Sequence, residues 1–290
     1  MQRTSKPSPA ESPAQSGPAL KSRTFRCMGT VISLALPAGA ARDGGEVLES
    51  ATAAVERVFA GLDATFSLYR PDSEASRLAR GEVTLRDASA AFRARFADAT
   101  GWRLLTDGFF TPERPDGVLD LSGIIKGYAI DQAASALECA GIEDWCLNAG
   151  GDVLVSGSPA VGSGSPWLAG IVDPQDRRTL LSGFSLGGTG RFTALATSGT
   201  AERGNHIWRA GADRAGAGRT GLGSLDFRQV SVAAADILTA DVLATAVVAG
   251  GRRMLDWATD SWDVEVLAVL GGGELLATPG FRSQTPGFRA

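Results

Sequence analysis

Short apolar runs separated by paired glycines constrain this chain more than any other feature. Gly150-Gly151 stands between the apolar stretches 144–148 and 153–156. Gly187-Gly188 stands between 180–186 and 192–197, and Gly271-Gly272-Gly273 between 264–270 and 275–278. Adjacent residues that accept positive φ make the tight turns joining antiparallel strands. Turns of this kind outnumber strand–helix–strand crossovers here, so the expected fold class is α+β, with largely antiparallel sheets and packed helices.

Further strands are expected at 25–36 with Gly29 inside, at 64–70 ending before Pro71, at 167–172 and at 227–234. Helical periodicity appears at 45–62, where Leu48, Ala51, Val55, Val58 and Leu62 recur every three or four residues, and again at 88–106. Asp72 or Ser73 is placed to cap a short helix between them. Another helix follows Asp120, runs through Ile130, Ala133, Ala134 and Leu137, and stops at Gly141. A helix from Leu238 to Gly251 leads into a shorter one at 252–259.

A chain of 290 residues has room for a sizeable core, and its net charge of −4 carries no electrostatic footprint for nucleic acid. Three cysteines, Cys27, Cys139 and Cys146, lack metal-type spacing and read as buried apolar side chains in a reducing compartment. A single histidine, His206, excludes a multi-histidine metal site. Residues 1–24 are rich in Ser, Pro and Ala and are expected to be a disordered tail ahead of one domain over 25–290. No stretch approaches the roughly 20 apolar residues of a membrane span, and the tail has no apolar core of a leader or anchor. The expectation is a cytoplasmic protein with no membrane insertion.

Chemistry concentrates at Asp120-Leu-Ser-Gly123-Ile-Ile-Lys126-Gly-Tyr128, a glycine-punctuated entry into a helix. Lys126 is the only lysine after Lys21, while arginine supplies the other positive charges. An ammonium is a compact point charge with three rotatable donors, suited to phosphate oxygens or a polar cofactor edge; the plainer reading is a surface lysine in a loop. Asp120 either pairs with Lys126 or receives donors from a bound ring or ribose. The Gly123 carbonyl is open to a cation because no side chain blocks it. Asp241 and Thr245 stand four apart on a helix, so their oxygens share one face. A carboxylate beside a hydroxyl is hard-oxygen chemistry suited to Mg²⁺, although an aspartate near a helix start is more often a cap. Asn148 and Asp152 flank the Gly150-Gly151 turn as turn formers, and Phe109-Phe110 either line a pocket or plug a core. No Walker loop, dinucleotide fingerprint or nucleophile elbow is present.

Six motifs in order resemble the ApbE family of FAD:protein FMN transferases: Met28-Gly29-Thr30, the Phe66–Glu74 segment, Asp120–Tyr128, Asn148–Asp152, Thr197–Arg203 with His206-Ile207 beyond it, and Ala240–Thr245. The resemblance implies a two-lobed, T-fold-like architecture with the flavin in a cleft. It implies Mg²⁺-dependent cleavage of FAD, attachment of FMN through a phosphoester to a threonine or serine of a target flavoprotein, and release of AMP. By matching position, Asp241, Thr245 and the Gly123 carbonyl hold Mg²⁺. Met28, Tyr69, Phe109, Phe110, Thr111, Asp120, Lys126 and Ile207 contact FAD, and His206 and Asp241 are catalytic. Two segments depart from the pattern. His206-Ile207 runs into Trp208-Arg209 rather than Asp-Pro, and Thr111-Pro112 replaces an Asp-Pro pair. Both bear on acceptor specificity, and they keep two alternatives open: an FAD pyrophosphatase giving FMN and AMP, or a non-catalytic FAD-binding protein. The oligomer is expected to be a monomer or homodimer.

Overall fold

The computed structural model describes residues 19–39, 45–199 and 226–283. Its first element is a hairpin, β1 (Leu20–Cys27) and β2 (Thr30–Pro37). Cys27 pairs with Thr30, leaving Met28 and Gly29 as a two-residue turn with φ of 51° and 73°. Two left-handed residues give the turn twist that matches the strands. This corrects two expectations. Gly29 is not inside one strand over 25–36 but at the reversal between two, and residues 20–24 belong to β1 rather than to a tail. Lys21 and Ser22 sit opposite Leu36 and Ala35, so the apolar run of β2 provides an edge on which they order.

The helices follow the apolar spacing. Helix α1 (Glu46–Phe66) buries Leu48, Ala51, Val55 and Phe59 on one face. It overruns its expected end and replaces the strand foreseen at 64–70, because Phe66 is drawn in to stack on Phe92 at 5.4 Å between ring centroids. Ser73 caps α2 (Glu74–Ala79) by accepting the Ser76 N–H, and Ser89 caps α3 (Ala90–Leu105) by accepting the Phe92 N–H. Helix α4 (Ser122–Cys139) ends as expected, with Gly141 at φ 74° and the Ile142 N–H returning to the Leu137 carbonyl.

The remaining elements are β3 (Trp145–Ala149), β4 (Asp152–Ser156), β5 (Trp167–Val172), β6 (Leu180–Leu186), β7 (Ala194–Gly199), β8 (Phe227–Ala234), α5 (Ile237–Ser261), β9 (Glu265–Leu270), β10 (Leu275–Ala277) and α6 (Pro279–Ser283). Eight strands form one antiparallel sheet in the order β1-β2-β3-β4-β7-β8-β9-β10, and β5-β6 is a separate hairpin. The strands at 180–186 and 192–197 therefore do not pair across Gly187-Gly188 as expected. The apolar face of β5-β6, with Trp167, Ile171 and Phe184, instead packs on one face of the sheet against Leu195, Ala233, Leu267 and Phe281. Helices α1, α4 and α5 cover the other face. Burial on both faces explains the continuous apolar run from Val230 to Ala234 in β8 apart from Ser231. Helix α5 holds two helical segments across Gly251, at φ 62° and ψ −148°, as the glycine pair there implied.

Cysteine burial divides the three thiols. Cys139 is exposed at the end of α4, correcting the expectation of a buried side chain, while Cys27 and Cys146 are half-buried in the sheet. Among the described residues no helix is long and apolar enough to cross a membrane.

The two positive-φ turns differ in what surrounds them. A side chain at Gly150 would run into the Thr30 hydroxyl, whereas one at Gly29 meets nothing within 4 Å. Gly29→Ala should cost about 1 kcal/mol of backbone strain. Gly150→Ala should cost about 2–4 kcal/mol, because overpacking adds to the strain. Urea unfolding of the two variants measures the difference.

Candidate active site

The site begins with a missing side chain. A Cβ at Gly127 would lie 3.1 Å from Asp241 Oδ2 and 3.4 Å from the Leu238 Cα, so α4 and α5 touch only because residue 127 is glycine. In a regular helix the Gly127 N–H serves the carbonyl of Gly123, four residues back. Here it donates to Asp241 Oδ2 at 3.0 Å, so the Gly123 carbonyl shares or gives up its helical donor one turn from a buried carboxylate.

Lys126 stands directly before Gly127 in the chain. Its Nζ lies 2.5 Å from Asp152 Oδ2 and 3.6 Å from Asp241 Oδ1. Asp152 is fully buried at the start of β4, and its Oδ1 accepts the Thr197 N–H of β7 at 3.0 Å. One turn beyond Asp241, the Thr245 hydroxyl is 3.0 Å from that of Ser198. Helices α4 and α5 and strands β4 and β7 thus bring two carboxylates, one ammonium and two hydroxyls together. Asp241 is not the helix cap, a duty done by Asp236, whose side chain accepts the Thr239 N–H. Burial pushes the Asp241 carboxyl up to about 7; the Lys126 ammonium opposes this and the Asp152 charge adds to it. Among the described residues, two buried carboxylates face one ammonium, which leaves room for further positive charge. Among the described residues no three His, Cys, Asp or Glu side chains group as a metal site, so a cation here would rely on mixed oxygen donors.

Lys126 also lines a cleft of about 360 Å³ between the end of α1 and the start of α4. Met28, Tyr69 and Asp120, each expected at a flavin site, line it too, with Leu62, Phe66, Leu68 and Ile125 as its apolar wall. Met28 enters through the left-handed β1–β2 turn, and Tyr69 stands at the cleft 94% exposed. Asp120 does not hold Lys126 in the way one sequence reading allowed; its Oδ1 accepts the Ser122 N–H and shapes the entry to α4.

Phe109, Phe110 and Thr111 are not among the residues lining the cleft. Phe110 is buried, and a Cβ at Gly123 would lie 3.0 Å from its ring. Phe109 packs against Gly250 with the Arg253 guanidinium 5.5 Å from its ring centre, and the Thr111 hydroxyl accepts the Glu113 N–H. The paired rings pack between the start of α4 and the α5 kink. His206 and Ile207 lie outside the described residues. Asp152 and Ser198 were missed as site residues. Asp152 looked like a turn former beside Asn148, but Asn148 alone does that work, accepting the Gly151 N–H at 3.0 Å. Ser198 had no partner within its own stretch of sequence.

The raised Asp241 carboxyl sets a pH dependence for the metal-free protein. A folded-state value of about 7, above the ordinary 3.8, means that the folded protein binds the extra proton between these limits. Stability from this group is therefore present below about pH 4 and is lost as pH rises through about 7. Asp241→Asn removes that slope. In EDTA, its melting temperature relative to the parent should rise between pH 4 and pH 8, by an amount on the order of a few kcal/mol in stability.

Comparison with known proteins bears on the family and the fold. Residues 112–268, more than half of the chain, match the ApbE family. An FAD:protein FMN transferase from Klebsiella pneumoniae is 32% identical over 93 residues, which are 32% of this chain and 25% of that protein. The similarity thus spans a quarter of that relative. The ApbE protein of Thermotoga maritima superposes with a TM-score of 0.69 at 20% identity, covering 92% of this chain and 99% of that one. The flavin transferase ApbE of Vibrio cholerae gives 0.67 at 21% identity over the same shares. These two likenesses establish the fold, and the family match runs through Asp120, Lys126, Asp152, Ser198, Asp241 and Thr245. The chain belongs to the ApbE family.

Proposed function

We propose that this protein is an Mg²⁺-dependent FAD:protein FMN transferase, which moves FMN from FAD to a threonine or serine hydroxyl of a target flavoprotein. The observation that carries the reading is the buried Lys126–Asp152–Asp241 cluster where it meets the cleft. A largely apolar pocket of flavin size, with the Lys126 ammonium and the Arg70 and Arg114 side chains on its lining, suits a ring system carrying phosphates. Tyr69 offers an exposed ring for stacking, and Asp120 offers a carboxylate to ring or ribose donors.

In the reaction, the acceptor oxygen forms a bond to the FMN phosphorus. The pyrophosphate P–O bond breaks, AMP leaves with the electron pair, and the hydroxyl proton is lost. Lys126 holds phosphate oxygens through charge-assisted hydrogen bonds. Asp241, Thr245 and the Gly123 carbonyl fit Mg²⁺ by donor chemistry and by the unbalanced negative charge around Asp241. Mg²⁺, when bound, neutralises charge on the phosphate oxygens as the bond to AMP breaks. Ser198 holds the Thr245 hydroxyl in place through the hydrogen bond the two side chains share. Met28 and the apolar wall exclude water from the flavin end.

Incubation with FAD, MgCl₂ and a flavoprotein carrying an acceptor threonine tests this. The expected result is an FMN mass adduct on the acceptor together with AMP, both abolished by EDTA and restored by Mg²⁺. AMP released without any adduct would make the protein a pyrophosphatase, and intact FAD with neither product would sink the reading. Asp241→Ala should lower turnover by roughly a hundredfold or more, the scale of several kcal/mol of lost charge stabilisation. Its circular dichroism should stay that of the parent, since Asp236 caps the helix.

A further inference from the structure

We infer that Asp152 is the positioning residue of this site: it holds the Lys126 ammonium where that group lines the cleft, against the pull of Asp241. The inference rests on the reading of the cleft as an FAD site. Asp152 is not among the cleft-lining residues and has no surface exposure, so it acts on a ligand only through another group.

Three observations point to Lys126 as that group. The contact between Lys126 and Asp152 is short at 2.5 Å, while that to Asp241 is long at 3.6 Å. The other Asp152 oxygen is tied to the Thr197 N–H, so the carboxylate cannot turn away from the ammonium without losing a strand-to-strand link. The β3–β4 turn makes no claim on Asp152. The Gly150-Gly151 turn is closed by Asn148, and the turn is seated by its close approach to Thr30. A buried carboxylate without a turn or capping role is expensive unless its charge is used.

The asymmetry has a consequence for the order of charges. Lys126 has one fixed carboxylate and one loose one, and the loose one is Asp241, the group suited to a cation. Removing the Asp152 charge leaves Asp241 as the carboxylate that draws the ammonium. Lys126 then turns from the cleft toward α5, and the cleft loses the ammonium, keeping only the positive charge of Arg70 and Arg114 on its lining.

A double-mutant cycle on FAD binding in EDTA, where no turnover occurs, separates this from a structural role. Binding is followed by the change in flavin fluorescence for the parent, Asp152→Asn, Lys126→Met and the pair combined. Asparagine keeps the oxygen that accepts the Thr197 N–H, so the fold should hold, and a melting curve verifies it. Asp152→Asn is expected to weaken FAD binding about tenfold or more, the scale of a hydrogen bond to a charged group. In the Lys126→Met background the same change should have no further effect. Asp152→Glu, which keeps the charge but moves it by a methylene, should give a smaller loss that also disappears with Lys126→Met. Unchanged binding in Asp152→Asn overturns the inference, as does unchanged binding in Lys126→Met. An equal loss in both backgrounds overturns it too, by showing a role independent of Lys126. A parent protein that fails to bind FAD at all overturns the reading of the cleft instead.

Discussion

The ammonium of Lys126, divided between two buried carboxylates, is the interaction on which the rest of the site depends. Asp152 comes from β4, Asp241 from α5 and Lys126 from α4, so one charge ties the sheet to both helices. Either carboxylate buried alone would cost several kcal/mol of lost hydration, and a single ammonium offsets only part of the cost of two. That residual imbalance appears as the raised Asp241 carboxyl. It is tolerable in a folded protein because the surrounding core is large: α4 and α5 bury most of their length against the sheet. The apolar packing stabilises the fold, and the polar cluster draws on it.

Packing also fixes how close the charges come. Gly127 lets the backbones of α4 and α5 meet, and Gly250 gives Phe109 a seat near the α5 kink. Between these two glycines Phe110 fills the space beneath Gly123. The phenylalanine pair thus sets the position of the first turn of α4, whose carbonyl and lysine face opposite duties. The cleft and the core are therefore coupled through α4, even though the two phenylalanines do not line the cleft.

Much of this was legible in the chain. The glycine pairs announced the β3–β4 and β9–β10 hairpins, and helical spacing located α1, α3, α4 and both halves of α5. Local chemistry suffices there, because a tight turn or an amphipathic face is encoded within a few residues. Failures came where tertiary packing decided the outcome. Nothing near residue 180 says that β6 pairs back to β5 while β7 enters the large sheet, since that depends on which apolar face finds Phe281. Met28 escaped notice as a turn residue because a left-handed non-glycine is uncommon. Lys126, Asp241 and Thr245 were identifiable by residue type and motif. Asp152 and Ser198 were not, because their roles exist only through partners 26 and 47 residues away in the chain.

The choice of lysine at position 126 follows from the same geometry. Every other cationic side chain from residue 22 onward, apart from the one histidine, is arginine. A guanidinium offers a rigid planar fork that is best satisfied by both oxygens of one carboxylate. Asp152 cannot accept such a fork, because its Oδ1 is committed to the Thr197 N–H. An ammonium has no preferred plane, so one point charge can face Asp152 Oδ2 and Asp241 Oδ1 from different directions. It is also compact enough to stand directly before Gly127, where the two helices leave little width. A point charge able to face acceptors in different directions suits a site whose two carboxylates come from different elements, Asp152 from β4 and Asp241 from α5.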